Sequence, residues 1–225
     1  MKYSTLLFDL DQTLLDFNHD IREAFFSMCR KQKLTINDEL FNSYHAINEK
    51  WWGKLEKGLC TKEELFIERF KEWIQKHQLS ADSHALSQAI FPELAHQATL
   101  FPGAYELIET LAQDHSIYFA TNGNYSSQLE RLKISGLDQF SKRMFVSEDI
   151  GAAKPDKRFF DFAFTCIEDK KENCLLIGDS LTSDIAGACN SGIDSVWYNP
   201  QHLPNQTSYS PTYEIHSYHE LYSIV

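Results

Sequence analysis

Ser4-Thr5-Leu6-Leu7-Phe8-Asp9-Leu10-Asp11-Gln12-Thr13-Leu14-Leu15-Asp16 begins with a short apolar run that ends abruptly in two carboxylates, Asp9 and Asp11. The run Leu6, Leu7, Phe8 is too short for a helix and reads as a central parallel strand covered on both faces. In open α/β sheets ligands bind beyond the carboxyl ends of the strands, so two carboxylates placed there face a binding crevice. If the strand persists, side chains 9 and 11 point the same way, with Leu10 turned into the core. Aspartate is also a common turn residue, and a solvated acidic turn is the competing reading of this stretch taken alone.

The rest of the chain favours a folded α/β protein. At 225 residues it is long enough for one large domain, or for a core with a smaller companion. Lys and Arg number 21 against 32 Asp and Glu, a formal charge of −11. So acidic a chain is a poor binder of nucleic-acid polymers, which are held by neutralising phosphates. No apolar stretch approaches a membrane span, and Asp9 and Asp11 interrupt the N-terminal run as a signal peptide's core would not allow. The five cysteines, Cys29, Cys60, Cys166, Cys174 and Cys189, are odd in number, scattered and without a CxxC pair. A soluble, unexported cytoplasmic protein with reduced thiols is expected, with no membrane partner.

From about residue 20 the pattern turns helical. Ile21, Phe25, Met28 and Cys29 form one apolar stripe; Leu40, Tyr44, Ile47 and Trp51 form the next. Thr61 and Glu64 make a capping box for a helix carrying Leu65, Phe66, Phe70, Trp73 and Ile74, and Leu86, Ile90 and Leu94 form a fourth stripe. With no strand between them, these helices predict a separate bundle inserted into the sheet domain. Phe101-Pro102-Gly103 restarts the core, with Pro102 in the first turn of a helix running to about Asp114. Four further apolar runs follow, at 117–120, 144–146, 174–177 and 196–198. Helical stripes lie between them, which predicts a parallel sheet wound on both faces. Residues 199–211 read as a surface loop before a short last element.

Three of the later runs also end in polar residues. Thr121-Asn122-Gly123 can donate hydrogen bonds to an anion and let the backbone come close to it. Pro155 is expected to start a helix with Lys154 just ahead of it, where ammonium and helix terminus together would favour a phosphate. Gly178-Asp179-Ser180-Leu181-Thr182-Ser183-Asp184 adds two carboxylates. Each piece has an ordinary alternative: a turn, a solvated lysine, a helix cap. Their common placement at strand ends of one sheet is what argues for a single crevice. There Asp9, Asp179 and a backbone carbonyl near Asp11 are hard oxygen ligands suited to Mg²⁺ and a substrate phosphate. Such a metal makes a carboxylate nucleophile and a phosphoaspartate feasible, with Lys154 and Thr121 stabilising the transferring oxygens.

Asp-Leu-Asp-Gln-Thr at 9–13, Thr-Asn-Gly at 121–123, Lys-Pro-Asp at 154–156 and Gly-Asp-x-x-x-x-Asp at 178–184 resemble the four motifs of the haloacid dehalogenase superfamily, in order and at ordinary spacing. The resemblance covers the whole chain. It implies a Rossmann-like core over residues 1–16 and 98–225 and an inserted α-helical cap over 17–97 that closes over the site and reads the leaving group. It implies Asp9 as nucleophile and Asp11 as the acid that protonates the leaving oxygen and then activates water. Thr121, Asn122 and Lys154 would hold the phosphoryl group. Asp9, Asp11 and Asp179 would bind Mg²⁺, and Asp184 would support the metal's water shell or Lys154.

Dehalogenases of this superfamily need neither Mg²⁺ nor an acid two residues after the nucleophile, so Asp11 with Asp179 and Asp184 favours phosphoryl transfer. A phosphomutase and a sugar-phosphate phosphatase remain open. A silent phosphate-binding module has no use for a nucleophile and acid pair. Trp52-Gly53-Lys54-Leu55-Glu56-Lys57-Gly58 to Thr61, with Arg69-Phe70, is similar to the bacterial pyrimidine nucleotidases. That likeness implies a nucleoside 5'-monophosphate as substrate, with pyrimidine preference, and Phe17, Trp52 and Arg69 as contacts for a flat base. Trp51 belongs to an apolar stripe and is assigned to the core, His216 and His219 to the surface. A monomer or weak dimer is expected.

Overall fold

The computed structural model describes residues 2–225. In chain order its elements are β1 (Thr5–Phe8), α1 (Phe17–Lys31), α2 (Asp38–Glu56), α3 (Lys62–His77), α4 (Ser83–Ala95), α5 (Ala104–Leu111), β2 (Ser116–Thr121), α6 (Tyr125–Ser135), β3 (Ser141–Val146), α7 (Ser147–Ile150), α8 (Lys157–Cys166), β4 (Cys174–Gly178), α9 (Ala186–Ser191), β5 (Asp194–Tyr198), β6 (Tyr213–Ile215) and α10 (Tyr218–Leu221). They divide into two compact units, Met1–Phe17 with Ala98–Val225, and Asn18–Gln97.

The first unit is a Rossmann-like α/β fold. Its sheet has the order β3-β2-β1-β4-β5-β6, parallel throughout, with β1 in the interior. Leu6, Leu7 and Phe8 are fully buried because both faces of β1 are covered. Leu6 and Phe8 join Leu107, Ile108, Phe119 and Ile177 in one core cluster, whereas Leu7 joins Tyr118, Phe159, Phe160 and Leu176 in the other. Burying each such side chain contributes about 1.5–3 kcal/mol. The strand order reverses at β1, which has β2 on one side and β4 on the other. Crevices form at such reversals, beyond the carboxyl ends of the strands.

The segments flanking the insertion pair with each other: Asp16 N donates to Thr99 O and Phe101 N to Leu14 O. The chain therefore leaves the first unit and re-enters it at adjacent points. The second unit packs α1 to α4 around stacked rings, with Phe25 on Tyr44 at 4.4 Å and Tyr44 on Phe70 at 5.0 Å. Thr61 and Glu64 form the expected capping box at the start of α3.

Several local expectations need correction. Helix α5 starts at Ala104 behind Gly103, whose φ of 84° turns the chain into it, and it stops at Leu111, so Pro102 lies outside the first turn. Pro155 does not start a helix either; Asp156 caps α8, accepting from Arg158 N. The tail supplies a sixth strand, β6, because Tyr213, Glu214 and Ile215 pair with β5. Trp51 is half-buried, its indole N–H on Glu72, while Phe41 takes the inner position on α2. His216 is half-buried and bonded to Asn199 O.

Candidate active site

β1 ends at Phe8, and Asp9 extends its pairing by donating its N–H to Ile177 O of β4. The chain then folds back on itself. Gln12 takes φ 63°, and the N–H groups of Thr13, Leu14 and Leu15 all converge on Leu10 O. The strand therefore does not persist to residue 11, so the condition under which Asp9 and Asp11 would point the same way is not met. Leu10 does turn into the core. The two carboxylates instead meet different partners.

Asp9, 7% exposed, meets Lys154. The Lys154 ammonium has three acceptors: Asp9 Oδ1 at 2.6 Å, Asp184 Oδ1 at 2.7 Å and Ala120 O at 2.6 Å. These use its three protons, which is how a buried ammonium avoids an unpaired donor. Burial pushes the Asp9 carboxyl up to about 7; the Lys154 charge pulls against this, and Asp184 and Asp11 add to the rise. Asp184 sits in a π-helical turn, Leu181–Ile185, and its second oxygen accepts from Ser180 N. A Cβ at Gly178 would come within 2.7 Å of Asp184 Cβ and collide with its carboxyl carbon. The glycine of Gly-Asp-x-x-x-x-Asp thus makes room for the carboxylate six residues on.

Asp179 follows β4. Its Oδ1 accepts from Thr13 Oγ1 at 3.2 Å, its N–H donates to the same hydroxyl at 3.0 Å, and Trp197 Nε1 donates to its carbonyl. Burial, with Asp9 and Asp184 nearby, holds the Asp179 carboxyl well above its ordinary range. Asp9, Asp179 and Asp184 each offer an oxygen within 4.8 Å of the other two. Three carboxylates against one ammonium, with Asp9 and Asp184 buried and Asp179 half-buried, make an all-oxygen, net-negative cluster, a donor set that fits a hard divalent cation. Both Asp184 oxygens are already engaged, so Asp9 and Asp179 are the better donors.

The Thr-Asn-Gly segment is built differently from a simple anion cradle. Asn122 Oδ1 accepts from Lys154 N and its Nδ2 donates to Lys154 O, both at 2.9 Å. The side chain is committed to the Lys154 backbone and fixes that lysine's segment beside β2. Thr121 Oγ1 accepts from Gly123 N at 2.9 Å and from Gln128 Nε2 at 3.1 Å. Asp11 accepts from Arg131 Nη1 at Oδ1 and from Gln128 Nε2 at Oδ2, each at 2.5 Å. Sequence reasoning passed over Thr13, Trp197, Gln128 and Arg131. For Gln128 and Arg131 the sequence carries no signal; that they share the buried face of α6 with Ser127 and Leu132 shows only in the structure.

The residues assigned to a flat base fall in both units. Phe17, in the first, has its ring 5.9 Å from the Arg131 guanidinium. In the second, Trp52 is half-buried and meets Phe66 edge-on at 6.3 Å. Arg69 is 3% exposed, donates to Asn48 Oδ1 at 2.6 Å and lies among the rings of Tyr44, Phe66, Phe70 and Phe91. Burial lowers its pKa.

Residues 3–192 match the haloacid dehalogenase-like hydrolase family. The chain is 38% identical over 223 residues to the pyrimidine 5'-nucleotidase PynA of Streptococcus pneumoniae, covering 98% of this chain and 94% of that protein. It is 31% identical over 222 residues to the pyrimidine 5'-nucleotidase YjjG of Escherichia coli, with 98% and 97% covered. Among solved structures, the putative HAD-hydrolase YfnB of Bacillus subtilis, bound to magnesium, superposes with a TM-score of 0.94 at 38% identity, covering 100% of this chain and 99% of that one. Among the described residues no helix is long and apolar enough to cross a membrane.

Proposed function

The chain belongs to the haloacid dehalogenase-like hydrolases, and from that premise we propose that it is a Mg²⁺-dependent phosphatase of nucleoside 5'-monophosphates, with pyrimidine preference. The observation that carries the chemistry is the buried Asp9 carboxylate held by Lys154 beside Asp179 and Asp184. A carboxylate, an ammonium and further oxygen donors stand within one cluster, which supports a nucleophile, a phosphate-binding cation and a metal site there. The substrate class is supported by the two nucleotidases to which the chain is similar along nearly its whole length.

The reaction uses the chain's own groups in two steps. Asp9 attacks phosphorus, forming a carboxyl–phosphate bond as the bond to the nucleoside oxygen breaks, and Asp11 delivers a proton to that departing oxygen. Asp11 then takes a proton from water, whose oxygen attacks the same phosphorus, releasing phosphate and restoring Asp9. Lys154 and Thr121 stabilise the charge spread over the phosphoryl oxygens. Asp9, Asp179 and a backbone carbonyl near Asp11 would hold Mg²⁺, which when bound offsets the repulsion between phosphate and attacking carboxylate. In the second unit Trp52, half-buried, is the proposed contact for the leaving nucleoside, whereas Arg69, buried and bonded to Asn48 among four rings, is withdrawn from that role.

The test is phosphate release from pyrimidine and purine nucleoside monophosphates, sugar phosphates and an aryl phosphate, with Mg²⁺ and after EDTA. Preference for pyrimidine monophosphates and loss of turnover in EDTA are expected. Preference for a sugar phosphate would overturn the substrate assignment and leave the carboxylate chemistry standing. Full activity after exhaustive metal removal would overturn the metal dependence.

A further inference from the structure

Given the phosphatase chemistry proposed above, we infer that Gln128 and Arg131 of α6 are positioning residues that hold Asp11 for its proton transfers and tie it to the phosphate-binding Thr121. The two residues lie three apart on one face of the helix, so both side chains reach the same place. There they divide the carboxylate between them. Arg131 Nη1 donates to Asp11 Oδ1 and Gln128 Nε2 to Asp11 Oδ2, both at 2.5 Å. Arg131 Nη1 also donates to Gln128 Oε1 at 3.0 Å, which fixes the amide's orientation. The same Gln128 Nε2 lies 3.1 Å from Thr121 Oγ1. One amide nitrogen thus touches both the proton-transferring carboxylate and the hydroxyl assigned to the phosphoryl group.

A merely structural ion pair does not account for this arrangement. Arg131 is wholly buried and Gln128 is 2% exposed, whereas the Asp11 side chain keeps 25% of its surface open. The buried donors form a fixed base, and the carboxylate they grip is the member that faces outward. The backbone is shaped to admit the amide as well. A Cβ at Gly123 would come within 2.7 Å of Gln128 Cγ and 2.8 Å of its Cδ. The glycine of Thr-Asn-Gly therefore leaves room for Gln128, and the motif and the helix after it act as one device. A carboxylate held at both oxygens has its side-chain torsions set before substrate arrives, which is the preorganisation that a positioned proton-transfer group needs.

The two chemical roles of Asp11 give the test its selectivity. Departure of a nucleoside alkoxide needs Asp11's proton, whereas departure of an acidic phenol does not. Values of kcat/KM report the chain of events up to the first irreversible step, formation of the phosphoenzyme. They are to be measured on a nucleoside monophosphate and an aryl phosphate for the parent, Gln128→Met, Arg131→Lys and Asp11→Asn. The two double variants that combine Asp11→Asn with each α6 change complete the cycle. Gln128→Met and Arg131→Lys keep the volume and the charge respectively, so one folded variant suffices. Each is expected to raise the preference for the aryl ester about tenfold or more, part of the ~10²–10⁴ that general acid catalysis supplies. In the Asp11→Asn background neither is expected to change that preference further. Equal losses on both esters, or the same change of preference without Asp11, would overturn the inference and leave the phosphatase assignment intact. Absence of phosphate release by the parent from either ester would instead remove the phosphatase assignment, and the inference with it.

Discussion

The Lys154 ammonium lies 2.6 Å from the Asp9 carboxylate, although 145 residues separate the two in the chain. Both are buried, and Lys154 also neutralises part of Asp184. Replacing Lys154 by Met would leave two buried carboxylates without their cation. Breaking a buried pair from one side costs about 3–5 kcal/mol, so Lys154→Met is expected to lower the unfolding free energy by that order. Urea denaturation in EDTA checks it. A change under about 1 kcal/mol would show that the pair is solvated in solution.

The raised Asp9 carboxyl makes stability depend on pH. Its folded value is about 7 against an ordinary 3.8, so between those values the folded chain binds more protons than the unfolded one. Stability of the metal-free protein should then be greatest below about 4 as far as this group is concerned, and fall as pH rises to about 7. Asp179, also raised, adds in the same sense. The loss is on the order of a few kcal/mol and should be reduced in Asp9→Asn. Unfolding curves of both proteins from pH 4 to 8 in EDTA decide this. Parallel pH profiles for the two would contradict the burial argument.

Much of this cluster was legible in the sequence because Asp9 and Asp179 directly follow short apolar runs and Lys154 and Asp184 come a few residues after one, a pattern that survives without tertiary knowledge. Asp9, Lys154, Asp179 and Asp184 all meet in that way. The direction of Asp11 was not legible. It depends on three N–H groups converging on Leu10 O and on the left-handed Gln12, features that alternation along a strand does not report. Gln128 and Arg131 escaped for another reason. Polar residues on a helix are ordinarily assigned to solvent, and only the packed structure shows that this face is inside.

Gly178 offers a steric test of the same geometry. An added methyl at this position would collide with the Asp184 carboxyl group. Gly178→Ala is expected to cost about 1–3 kcal/mol, as overpacking does, and to displace Asp184 from Lys154. Activity should fall with stability. Unchanged denaturation and turnover in this variant would mean that Asp184 can withdraw from its contact with Lys154 at no cost.

Asp11→Asn separates the two half-reactions. With an aryl phosphate the leaving phenol needs no proton, so Asp9 should still be phosphorylated at a rate close to that of the parent. On the proposed mechanism, hydrolysis of the phosphoaspartate needs Asp11 to take a proton from water and should slow by ~10²–10⁴. The variant is then expected to release about one equivalent of phenol per enzyme in a rapid burst, followed by slow turnover, the signature of an accumulating covalent intermediate. Rapid-quench measurement of phenol and phosphate reads both phases. The phosphate should lag the phenol, and acid-quenched protein should carry the missing phosphoryl group. Asp9→Asn should show neither burst nor turnover. A burst that persisted in Asp9→Asn would place the nucleophile elsewhere, and simultaneous release of phenol and phosphate by Asp11→Asn, at a rate lowered equally for both, would mean that Asp11 serves the first step rather than the second.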